Sequence, residues 1–327
     1  MHILVIGAAG MIGRKLTAAL IKSGRLRGKD ISKLTLADVV EPQATGFADE
    51  TRVAIDISAP DSARALVRGR PDVIFHLAAI VSGEAEADFD KGYRINLDGM
   101  RFLLEAIRQE GLKQPYVPRL VFTSSIAVFG APFPDAIGDE FFSTPLTSYG
   151  TQKAIDELLL ADYSRKGFVD GIGIRLPTIV IRPGKPNLAA SGFFSNILRE
   201  PLSGKEAVLP VSKDVRHWFA SPRAAVGYLV HAAELDTQKL GWRRSLSVPG
   251  LSATVGEEIE ALRRVAGDKA VALIREVPDP TIIRIVDGWA RNFDARRALS
   301  LGFKGDASFD EIIRIHVEDE LGGKIGG

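Results

Sequence analysis

The first half of the chain alternates short apolar runs with amphipathic stretches, and this alternation constrains the fold more than any other feature. The apolar runs are rich in Val, Ile and Leu with little polar alternation, as expected of strands that are covered on both faces. Strands are predicted at residues 2–6, 33–38, 52–56, 72–78, 119–125 and 171–176. Helical patterns lie between them, at residues 11–23, 60–68, roughly 85–110 and 148–166. Repeated β-α-β units of this kind predict an α/β fold with a doubly wound parallel sheet and right-handed crossovers.

The alternation of strands and helices stops in the second half, where Pro and Gly residues predict loops. Helices are predicted again at residues 221–235 and 257–267, and a strand is predicted at residues 243–248. Near the end, Ser308 and Glu311 have the spacing of a capping box, which predicts the start of another helix.

These patterns divide the chain into two predicted domains. Residues 1–176 are expected to form the sheet domain, with 212–248 returning to it. Residues 177–211 and 249–327 are expected to form a smaller lobe. Open α/β folds bind ligands at the C-terminal edge of the sheet, so this lobe is predicted to hold the substrate there.

Composition and charge narrow the classes of function. Lysine and arginine total 42 against 41 for aspartate and glutamate, a net charge of +1 that gives no electrostatic case for nucleic acid or an anionic membrane. There is no cysteine, and the five histidines show no ligand spacing, which argues against a metal site. The sequence opens on a strand without a basic targeting segment, and no apolar run approaches the roughly 20 residues of a membrane span. We expect a cytoplasmic protein that binds a small-molecule substrate.

Three glycines follow the first predicted strand, in the stretch VIGAAGMIG. Gly7, Gly10 and Gly13 suit a tight turn, close approach of the backbone to a pyrophosphate, and close helix–strand packing. The phosphates would rest on the free N–H groups of the helix start, which includes Met11 and Ile12. The spacing is three and three, not the commoner two and three, so simple turn formation is the alternative. The position between a strand and a helix favours dinucleotide binding.

Asp38 closes the second predicted strand, where its carboxylate can accept hydrogen bonds from both hydroxyls of an adenosine ribose. The residues that follow, VVEP, offer no Arg or Lys for a 2′-phosphate, so NAD is favoured over NADP. An aspartate that merely starts a turn is the alternative. Asp56 and Ile57, at the predicted end of the third strand, are expected near the adenine edge.

The stretch HLAA ends the fourth predicted strand at residues 76–79. Small residues at this point let a cofactor lie against the backbone, so Leu77, Ala78 and Ala79 are candidate cofactor contacts. His76 is interpreted as a packed structural histidine rather than a catalytic one.

Tyr149 and Lys153 lie one helical turn apart at the start of an apolar-faced helix. A tyrosine has an ordinary pKa near 10, so it is a poor base at neutral pH. A nearby ammonium favours the phenolate, and a bound oxidised nicotinamide adds a second positive charge. Ser125, at the end of the fifth predicted strand, is expected to hydrogen-bond the same substrate oxygen. A solvated Tyr–Lys pair on a helix surface is the alternative that these residues alone leave open.

Taken together, the motifs resemble the extended short-chain dehydrogenase/reductases, and the resemblance covers essentially the whole chain. The motifs appear in family order: GxxGxxG (7–13), Asp38, DI (56–57), HLAA (76–79), NLDG (96–99), TSSIAVFG (123–130), YGTQK (149–153) and the terminal segment 295–313. The resemblance implies a Rossmann-type fold with a smaller C-terminal substrate-binding lobe. It also implies NAD as cofactor and NAD-dependent dehydrogenase activity.

The same resemblance implies roles for the reacting residues. Tyr149 becomes the proton-transferring residue, and Lys153 becomes the ligand of the nicotinamide ribose. Ser125 becomes the hydroxyl that orients the substrate, with Ser124 the neighbour that could be confused with it. Asn96 matches the position that shapes the cofactor pocket and the proton relay.

Two departures argue against the largest class of that family, which acts on nucleotide-diphosphate sugars. Thr178 stands where that class has an asparagine for the diphosphate, and RHWFASPR keeps Arg216 but lacks the usual acidic pair. The pattern most resembles the D-erythronate dehydrogenase group, which implies oxidation of the C2 hydroxyl of a small aldonate, D-erythronate to 2-dehydro-D-erythronate. Arg182 and Arg216 are predicted to bind the substrate carboxylate, with Thr178 as a further substrate contact. Solvated or structural ion pairs are the alternative for both arginines.

Two other functions stay open at this point. An epimerase or dehydratase acting on a nucleotide-linked sugar would use the same residues and recycle a tightly bound NAD. An NAD-sensing regulatory protein could share the fold, but it would not need Ser125, Tyr149 and Lys153 together. A homodimer is also expected, because the helices predicted at 85–110 and 148–166 carry enough apolar residues for a core face and a partner face.

Overall fold

The structure is a computed structural model that describes residues 1–184 and 190–326. Its strands are β1 (His2–Ile6), β2 (Arg25–Leu26), β3 (Lys29–Asp30), β4 (Lys33–Asp38), β5 (Glu50–Ala54), β6 (Val73–His76), β7 (Arg119–Ser125), β8 (Asp170–Leu176), β9 (Thr178–Ile179), β10 (Ala207–Leu209), β11 (Arg216–Ala220), β12 (Ser245–Ser247), β13 (Leu251–Thr254) and β14 (Ile274–Glu276). Residues 185–189, part of the loop predicted after Arg182, lie outside the described residues.

The helices include those that the sequence predicted and several that it did not, among them one at residues 192–202, where loops were predicted. They are α1 (Met11–Ser23), α2 (Pro60–Val67), α3 (Ser82–Ala87), α4 (Phe89–Gly92), α5 (Gly99–Lys113), α6 (Ser148–Arg165), α7 (Gly192–Leu202), α8 (Pro222–Glu234), α9 (Val255–Ala266), α10 (Asp268–Val271), α11 (Pro280–Asp287), α12 (Arg296–Ser300) and α13 (Phe309–Glu320). A π-helical stretch covers Tyr93–Asp98, and 3₁₀ segments cover Ile126–Val128 and Thr237–Leu240. None of the helices in the described ranges combines the length and the apolar character of a membrane-spanning segment.

The central sheet has seven strands in the order β12-β8-β7-β6-β1-β4-β5. β1 is parallel to β4 on one side, with His2 opposite Lys33, and parallel to β6 on the other, with Ile3 opposite Val73. The chain therefore moves from β1 toward one edge and returns through β6 toward the other. Ligands of open α/β sheets bind at such a reversal, beyond the C-terminal ends of the strands. This topology confirms the predicted Rossmann-type, doubly wound parallel sheet.

The first of two compact units comprises residues 1–128, 145–175 and 226–246. Its core includes Leu4 of β1, Leu103 and Ile107 of α5, and Leu160 of α6, all 0 % exposed. Leu103 and Ile107 are four residues apart, so they lie on one face of their helix. This packing fixes α5 and α6 against the sheet.

The second unit comprises residues 129–144, 176–225 and 247–327. Its core joins α7, β11, α9 and α13, with Phe194, Phe219 and Ile312 each 0 % exposed. Burial of such large apolar side chains provides most of the stabilisation of a unit of this size.

The limits of the units differ from the predicted domains at residues 129–144, 212–225, 176 and 247–248, which the sequence placed with the sheet. The first segment joins the second unit through aromatic and backbone contacts. The centres of the Phe129 and Phe293 rings lie 5.8 Å apart, and Ile137 pairs with Phe293 in an isolated β-bridge. Residues 212–225 include β11, which pairs with β13 and β9 in a small sheet of the second unit.

One strand and one helix end earlier than predicted, in each case at a polar residue whose side chain bonds the backbone. β5 ends at Ala54 rather than at residue 56, because Asp56 accepts hydrogen bonds from the Ser58 backbone N–H at 2.9 Å and hydroxyl at 2.6 Å and so starts a turn. The helix predicted at 85–110 is divided at Asp88, whose carboxylate accepts a hydrogen bond from the Lys91 N–H. The next stretch is π-helical, and α5 follows it directly.

The capping box predicted for the last helix forms only in part. The Ser308 hydroxyl accepts a hydrogen bond from the Glu311 N–H at 3.2 Å. The Glu311 carboxylate accepts from the Ala307 N–H at 2.6 Å instead of from the N-cap residue. A complete capping box occurs at α9, where Thr254 and Glu257 accept reciprocally from each other's backbone N–H groups.

Candidate active site

The glycine-rich turn between β1 and α1 excludes side chains at two of its positions. Gly7 has a φ of +93°, and a Cβ added there would lie 2.7 Å from the backbone nitrogen of Ala78. A Cβ added to Gly13 would collide with the carbonyl oxygen of Gly7. A Cβ added to Gly10 would lie 3.4 Å from that same oxygen, which is an ordinary contact. The fold itself therefore needs glycine at 7 and 13, whereas Gly10 leaves room above the turn.

α1 begins without a side-chain cap. Its N-cap residue, Gly10, has an extended backbone and makes no capping hydrogen bond. The N–H groups of the first turn, at Met11, Ile12 and Gly13, have no partner within the helix. They are donors for an anion, and the helix dipole favours negative charge at this end. The turn has the donors that the predicted pyrophosphate site requires.

Asp38 ends β4 beside this turn, and its carboxylate is held by backbone donors. One oxygen accepts a hydrogen bond from the Ala9 N–H at 2.9 Å, and the other accepts from the Val39 N–H at 2.7 Å. A carboxylate has about four lone-pair positions, so two remain for the hydroxyls of a ribose. The arrangement fits the predicted ribose contact and also fixes the side chain before any ligand binds.

Asp56 and Ile57 lie in the loop after β5 rather than in the strand. The Asp56 carboxylate accepts from Ser58 and forms an ion pair with Arg94 at 3.3 Å. The Ser58 hydrogen bonds lower the pKa of Asp56, with a smaller contribution from Arg94. Ile57 is 5 % exposed, and a Cβ on Gly99 would lie 3.1 Å from its side chain. The placement near an adenine stays a prediction for both residues.

The stretch after β6 runs close to the glycine turn. The N–H groups of Leu77 and Ala78 donate to the carbonyl of Ile6, at 2.8 and 3.1 Å. Ala79 is exposed, which leaves its backbone open to a cofactor. His76 is 2 % exposed, and burial together with the charge of Lys153 lowers its pKa to about 3. The histidine is therefore neutral at physiological pH, in keeping with a structural role.

The start of α6 is fixed by a cap and by a close backbone approach. Thr147 caps the helix by accepting a hydrogen bond from the Gly150 N–H at 3.0 Å. A Cβ on Gly150 would collide with the carbonyl oxygen of Ala127, so glycine lets the helix begin directly beside the end of β7. This approach brings the hydroxyls of Tyr149 and Ser125 into hydrogen-bonding contact. The Ser125 oxygen also accepts from the Ala127 N–H at 3.1 Å.

The two serines at the end of β7 have different partners. Ser124 is 2 % exposed, and its hydroxyl donates to Glu157 at 2.5 Å. Glu157 also accepts hydrogen bonds from the Arg175 guanidinium at 2.6, 2.9 and 3.1 Å. Ser125, the next residue, bonds Tyr149 instead. The structure therefore places Ser125, not Ser124, beside the tyrosine.

The phenol of Tyr149 is not acidic in the protein alone, which differs from the expectation for the Tyr–Lys pair. Burial raises the pKa of Tyr149 to about 12, against the lowering effect of the Ser125 hydrogen bond, and the negative charge of Asp156 raises it further. Lys153 lies with its ammonium 5.7 Å from the centre of the Tyr149 ring. The pKa of Tyr149 stays raised beside this lysine, so the lysine charge does not offset the burial of the phenol.

Lys153 is buried at 1 % exposure, and its ammonium lies 4.6 Å from the centre of the Phe122 ring. The pKa of Lys153 is lowered by burial and raised by the charges of Asp156 and Glu157. Within residues 1–184 and 190–326 this ammonium has no hydrogen-bond partner. Because three donors on a buried cation are uncommitted, the lysine fits the hydroxyls of the predicted nicotinamide ribose.

Asn96 lies in the π-helical stretch between α4 and α5, a conformation that often marks functional sites. Its side-chain oxygen accepts from the Ile80 N–H at 2.9 Å, and its amide donates to Gln152 Oε1 at 2.7 Å. The residue thereby links the loop after β6 to the helix that carries Tyr149. Its predicted role in the proton relay stays a prediction.

The predicted substrate residues of the second unit each have partners there. Thr178 contacts the Nε2 atom of His217 at 2.7 Å. Arg182 donates to the Ser191 hydroxyl at 3.0 Å.

Arg216 donates to the Ser252 carbonyl at 3.0 Å and pairs with Glu257 at 3.2 Å. Its side chain is still 39 % exposed, and the Glu257 side chain is 56 % exposed. An exposed ion pair of this kind is weak, and the role of Arg216 in binding the substrate carboxylate stays a prediction.

Sequence reasoning missed several polar residues that support the site. They are Gln152, Asp156 and Glu157 of α6 and Arg175 of β8, all buried. A signal was present, because Gln152 and Asp156, like Lys153 and Glu157, have the i,i+4 spacing of one helix face. The pattern alone does not show that this polar face points into the protein.

The chain is similar to proteins of one family along nearly its whole length. The sequence pattern of the NAD dependent epimerase/dehydratase family matches residues 3–237. D-erythronate dehydrogenase from Cupriavidus necator is 49 % identical over 98 % of this chain and 98 % of its own length. D-erythronate dehydrogenase from Haemophilus influenzae is 41 % identical over 98 % of this chain and 100 % of its own length. A crystal structure described as a nucleoside-diphosphate-sugar epimerase from Agrobacterium tumefaciens is 68 % identical with a TM-score of 0.97, covering 99 % of this chain and 95 % of that one.

Proposed function

Because the chain belongs to the NAD dependent epimerase/dehydratase family, we propose that it oxidises the C2 hydroxyl of a small aldonate with NAD, converting D-erythronate to 2-dehydro-D-erythronate. The observation that carries the substrate is the nearly full-length similarity to two D-erythronate dehydrogenases, at 49 % and 41 % identity. The family match and these relatives confirm the coarser predictions of NAD as cofactor and of an NAD-dependent dehydrogenase.

The residues of the first unit fit the cofactor. The uncapped start of α1 would hold the pyrophosphate, Asp38 the adenosine ribose, and Lys153 the nicotinamide ribose. When bound, NAD⁺ supplies the acceptor for a hydride from the substrate carbon.

Tyr149 and Ser125 carry the proton chemistry in this proposal. The Ser125 hydroxyl holds the C2 oxygen of the substrate, and Tyr149 as phenolate takes the hydroxyl proton. The carbon–hydrogen bond at C2 breaks with its electron pair as the carbon–oxygen double bond forms, so the substrate is oxidised to a ketone. General base assistance of this kind contributes about 10²- to 10⁴-fold.

The pKa of about 12 for Tyr149 in the protein alone sets a condition on this role. The phenolate must be favoured by a positive charge in the assembled complex, and an oxidised nicotinamide provides one. The Ser125 hydrogen bond, which lowers the pKa of Tyr149, is already formed. We therefore expect the rate to rise with pH from neutral into the alkaline range.

A carboxylate substrate calls for a guanidinium, and Arg182 and Arg216 are our candidates, with Thr178 as a further contact. The partial exposure of Arg216 supports its candidacy. Arg216→Lys and Arg182→Lys variants test them separately. A rise in KM for the aldonate, with an unchanged KM for NAD, identifies the residue that binds the carboxylate.

The alternative is a nucleoside-diphosphate-sugar epimerase with recycled NAD, and the 68 % identity to a structure described as such favours it. The two activities differ in redox balance. A dehydrogenase accumulates one NADH for each substrate oxidised, whereas an epimerase returns the hydride and accumulates none.

The deciding experiment incubates the protein with NAD and a panel of four-carbon aldonates, L-threonine and nucleotide sugars, and follows NADH absorbance and sugar epimers. Stoichiometric NADH with D-erythronate alone supports the proposal. Epimerised nucleotide sugar without NADH would overturn it in favour of the alternative. Tyr149→Phe is the matched control, because it removes the proposed base and keeps the ring.

We also propose a homodimer formed through α5 and α6. Leu112 of α5 and Leu158 of α6 are 67 % and 72 % exposed, although both lie on helices whose other faces are already packed. Exposed large apolar residues on such helices suit a second copy of the chain. Light scattering should give twice the monomer mass for the wild type, and Leu158→Lys should shift the population toward the monomer.

A further inference from the structure

Two polar side chains of α6 are fully buried and incompletely hydrogen-bonded. Gln152 and Asp156 are both 0 % exposed and lie one helical turn apart. In the part of the chain that the structure describes, both carboxylate oxygens of Asp156 and the amide nitrogen of Gln152 lack a partner. Buried polar groups are nearly always hydrogen-bonded, so this cluster needs an explanation.

The Gln152 side chain is held by contacts with residues outside α6. Its oxygen accepts from the Asn96 amide at 2.7 Å, and a Cβ on Gly92 would lie 2.7 Å from its nitrogen. The uncommitted Gln152 amide and Asp156 are four residues apart, on the same face of α6.

The charges around Asp156 are few. Among the described residues, those that act on it belong to Lys153 and Glu157. Glu157 is already neutralised by the Arg175 guanidinium, at 2.6 Å. His76, which also feels the charge of Lys153, is neutral because its pKa is about 3. The cation available to Asp156 is therefore Lys153.

Lys153 also lies beside Tyr149, with its ammonium 5.7 Å from the centre of that ring. Tyr149, Lys153 and Asp156 follow one another at intervals of four and three residues, so they occupy one face of α6. Two acids, a phenol and a carboxyl, therefore flank the same buried cation. Ionisation of either one makes ionisation of the other less favourable.

We propose that Asp156 is a positioning residue whose buried carboxyl competes with the Tyr149 phenol for the positive charge of Lys153, and so sets the pH at which that phenol becomes a base. The inference rests on the proposed function for the role of Tyr149 as base. The direction of the effects agrees with it, because the charge of Asp156 raises the pKa of Tyr149 and that of Lys153. Burial, together with the charge of Glu157 and against that of Lys153, raises the pKa of Asp156 itself.

The test uses Asp156→Asn, which keeps the shape of the side chain and cannot ionise. Asp162→Asn is the matched control, since Asp162 lies on the same helix with its side chain 58 % exposed and paired with Arg165. The first readout is tyrosinate absorbance without cofactor, with the Tyr149 signal isolated by difference from Tyr149→Phe. The comparison is made at an alkaline pH where all variants remain folded. The ionised fraction of Tyr149 should there be about threefold or more larger in Asp156→Asn than in wild type.

The second readout is the pH profile of NAD reduction. Asp156→Asn should shift the profile toward lower pH. At one pH on the acidic limb, the rate as a fraction of the maximal rate should be about threefold or more higher in the variant than in wild type. The Asp162→Asn profile should match that of wild type. Superimposed titrations and profiles for all three proteins would overturn the proposal.

The two readouts separate this inference from the proposed function. If no aldonate reduces NAD, the proposed function fails, while the tyrosinate titration still decides whether Asp156 competes for the lysine. Asp156→Ala repeats the comparison if the asparagine variant does not fold cooperatively.

Discussion

Glu157→Gln is expected to be strongly destabilising, because it removes the carboxylate charge that pairs with the buried Arg175 guanidinium. Glu157 accepts three hydrogen bonds from Arg175, at 2.6, 2.9 and 3.1 Å, and one from Ser124 at 2.5 Å. The two charged side chains are 8 % and 10 % exposed. A glutamine amide offers a single oxygen and no charge to the same donors. Removing one partner of a buried ion pair typically costs about 3–5 kcal/mol.

The assay is the free energy of unfolding from urea denaturation of wild type, Glu157→Gln and Asp162→Asn. Asp162 pairs with Arg165 at 2.6 Å on the same helix, but these side chains are 58 % and 67 % exposed. An exposed pair contributes about 0–1 kcal/mol, so the control should lose no more than that. Equal, small losses in the two variants would refute the reasoning.

A double variant tests whether charge is the cause. Replacing both partners by apolar residues, as in Glu157→Leu with Arg175→Met, removes the buried charges together. Such replacements are often neutral or stabilising, so most of the loss seen in Glu157→Gln should be recovered. A double variant that loses more than the single one would show that shape or hydrogen bonding, rather than charge, dominates.

Three further predictions concern single residues. Tyr149→Phe should lower turnover by about 10²-fold or more while the Kd for NAD, measured by calorimetry, stays near wild type; wild-type turnover would exclude Tyr149 as the base. Gly7→Ala should lower the melting temperature, because φ is +93° there, whereas Gly10→Ala should keep the melting temperature and weaken NAD binding; the reverse order would contradict the phosphate site. His76 is neutral when folded, with a pKa of about 3 against 6.5 when unfolded, so the unfolded chain binds more protons between these values. Stability should therefore fall as pH drops below 6.5, at up to about 1.4 kcal/mol per pH unit, and His76→Asn should flatten the slope in denaturation experiments at several pH values.

The sequence predicted the sheet and the position of the glycine turn, because both depend on local patterns. β1, β4 and β7 begin and end where the apolar runs predicted them. These runs are buried on both faces and bounded by polar or turn-forming residues, so their limits are visible in the sequence. The resemblance that the motifs carry implied NAD as cofactor and a dehydrogenase of this family, and the comparisons confirm both.

Features that depend on tertiary contacts were not predictable in this way. Asp156 and Gln152 appear as ordinary polar positions of an amphipathic helix, which a sequence pattern places on the solvent side. The segment 129–144 lies in the second unit rather than with the sheet for a related reason, because the Phe293 ring and backbone that contact it lie far along the chain. Without a cofactor, burial raises the pKa of Tyr149 to about 12, and a spacing of four residues does not reveal that burial.

The two serines at the end of β7 show how one local rule connects stability to the site. Residues i, i+4 and i+8 of a helix lie on one face, so Tyr149, Lys153 and Glu157 of α6 share the face that contacts the end of β7. On this face Glu157, paired with Arg175, bonds Ser124, and two turns away Tyr149 bonds Ser125, so the ion pair supports the stretch of β7 that carries Ser125. Loss of that ion pair should therefore weaken turnover even in molecules that remain folded. A Glu157→Gln protein with full activity per folded molecule would show that Ser125 is oriented by its own contacts alone.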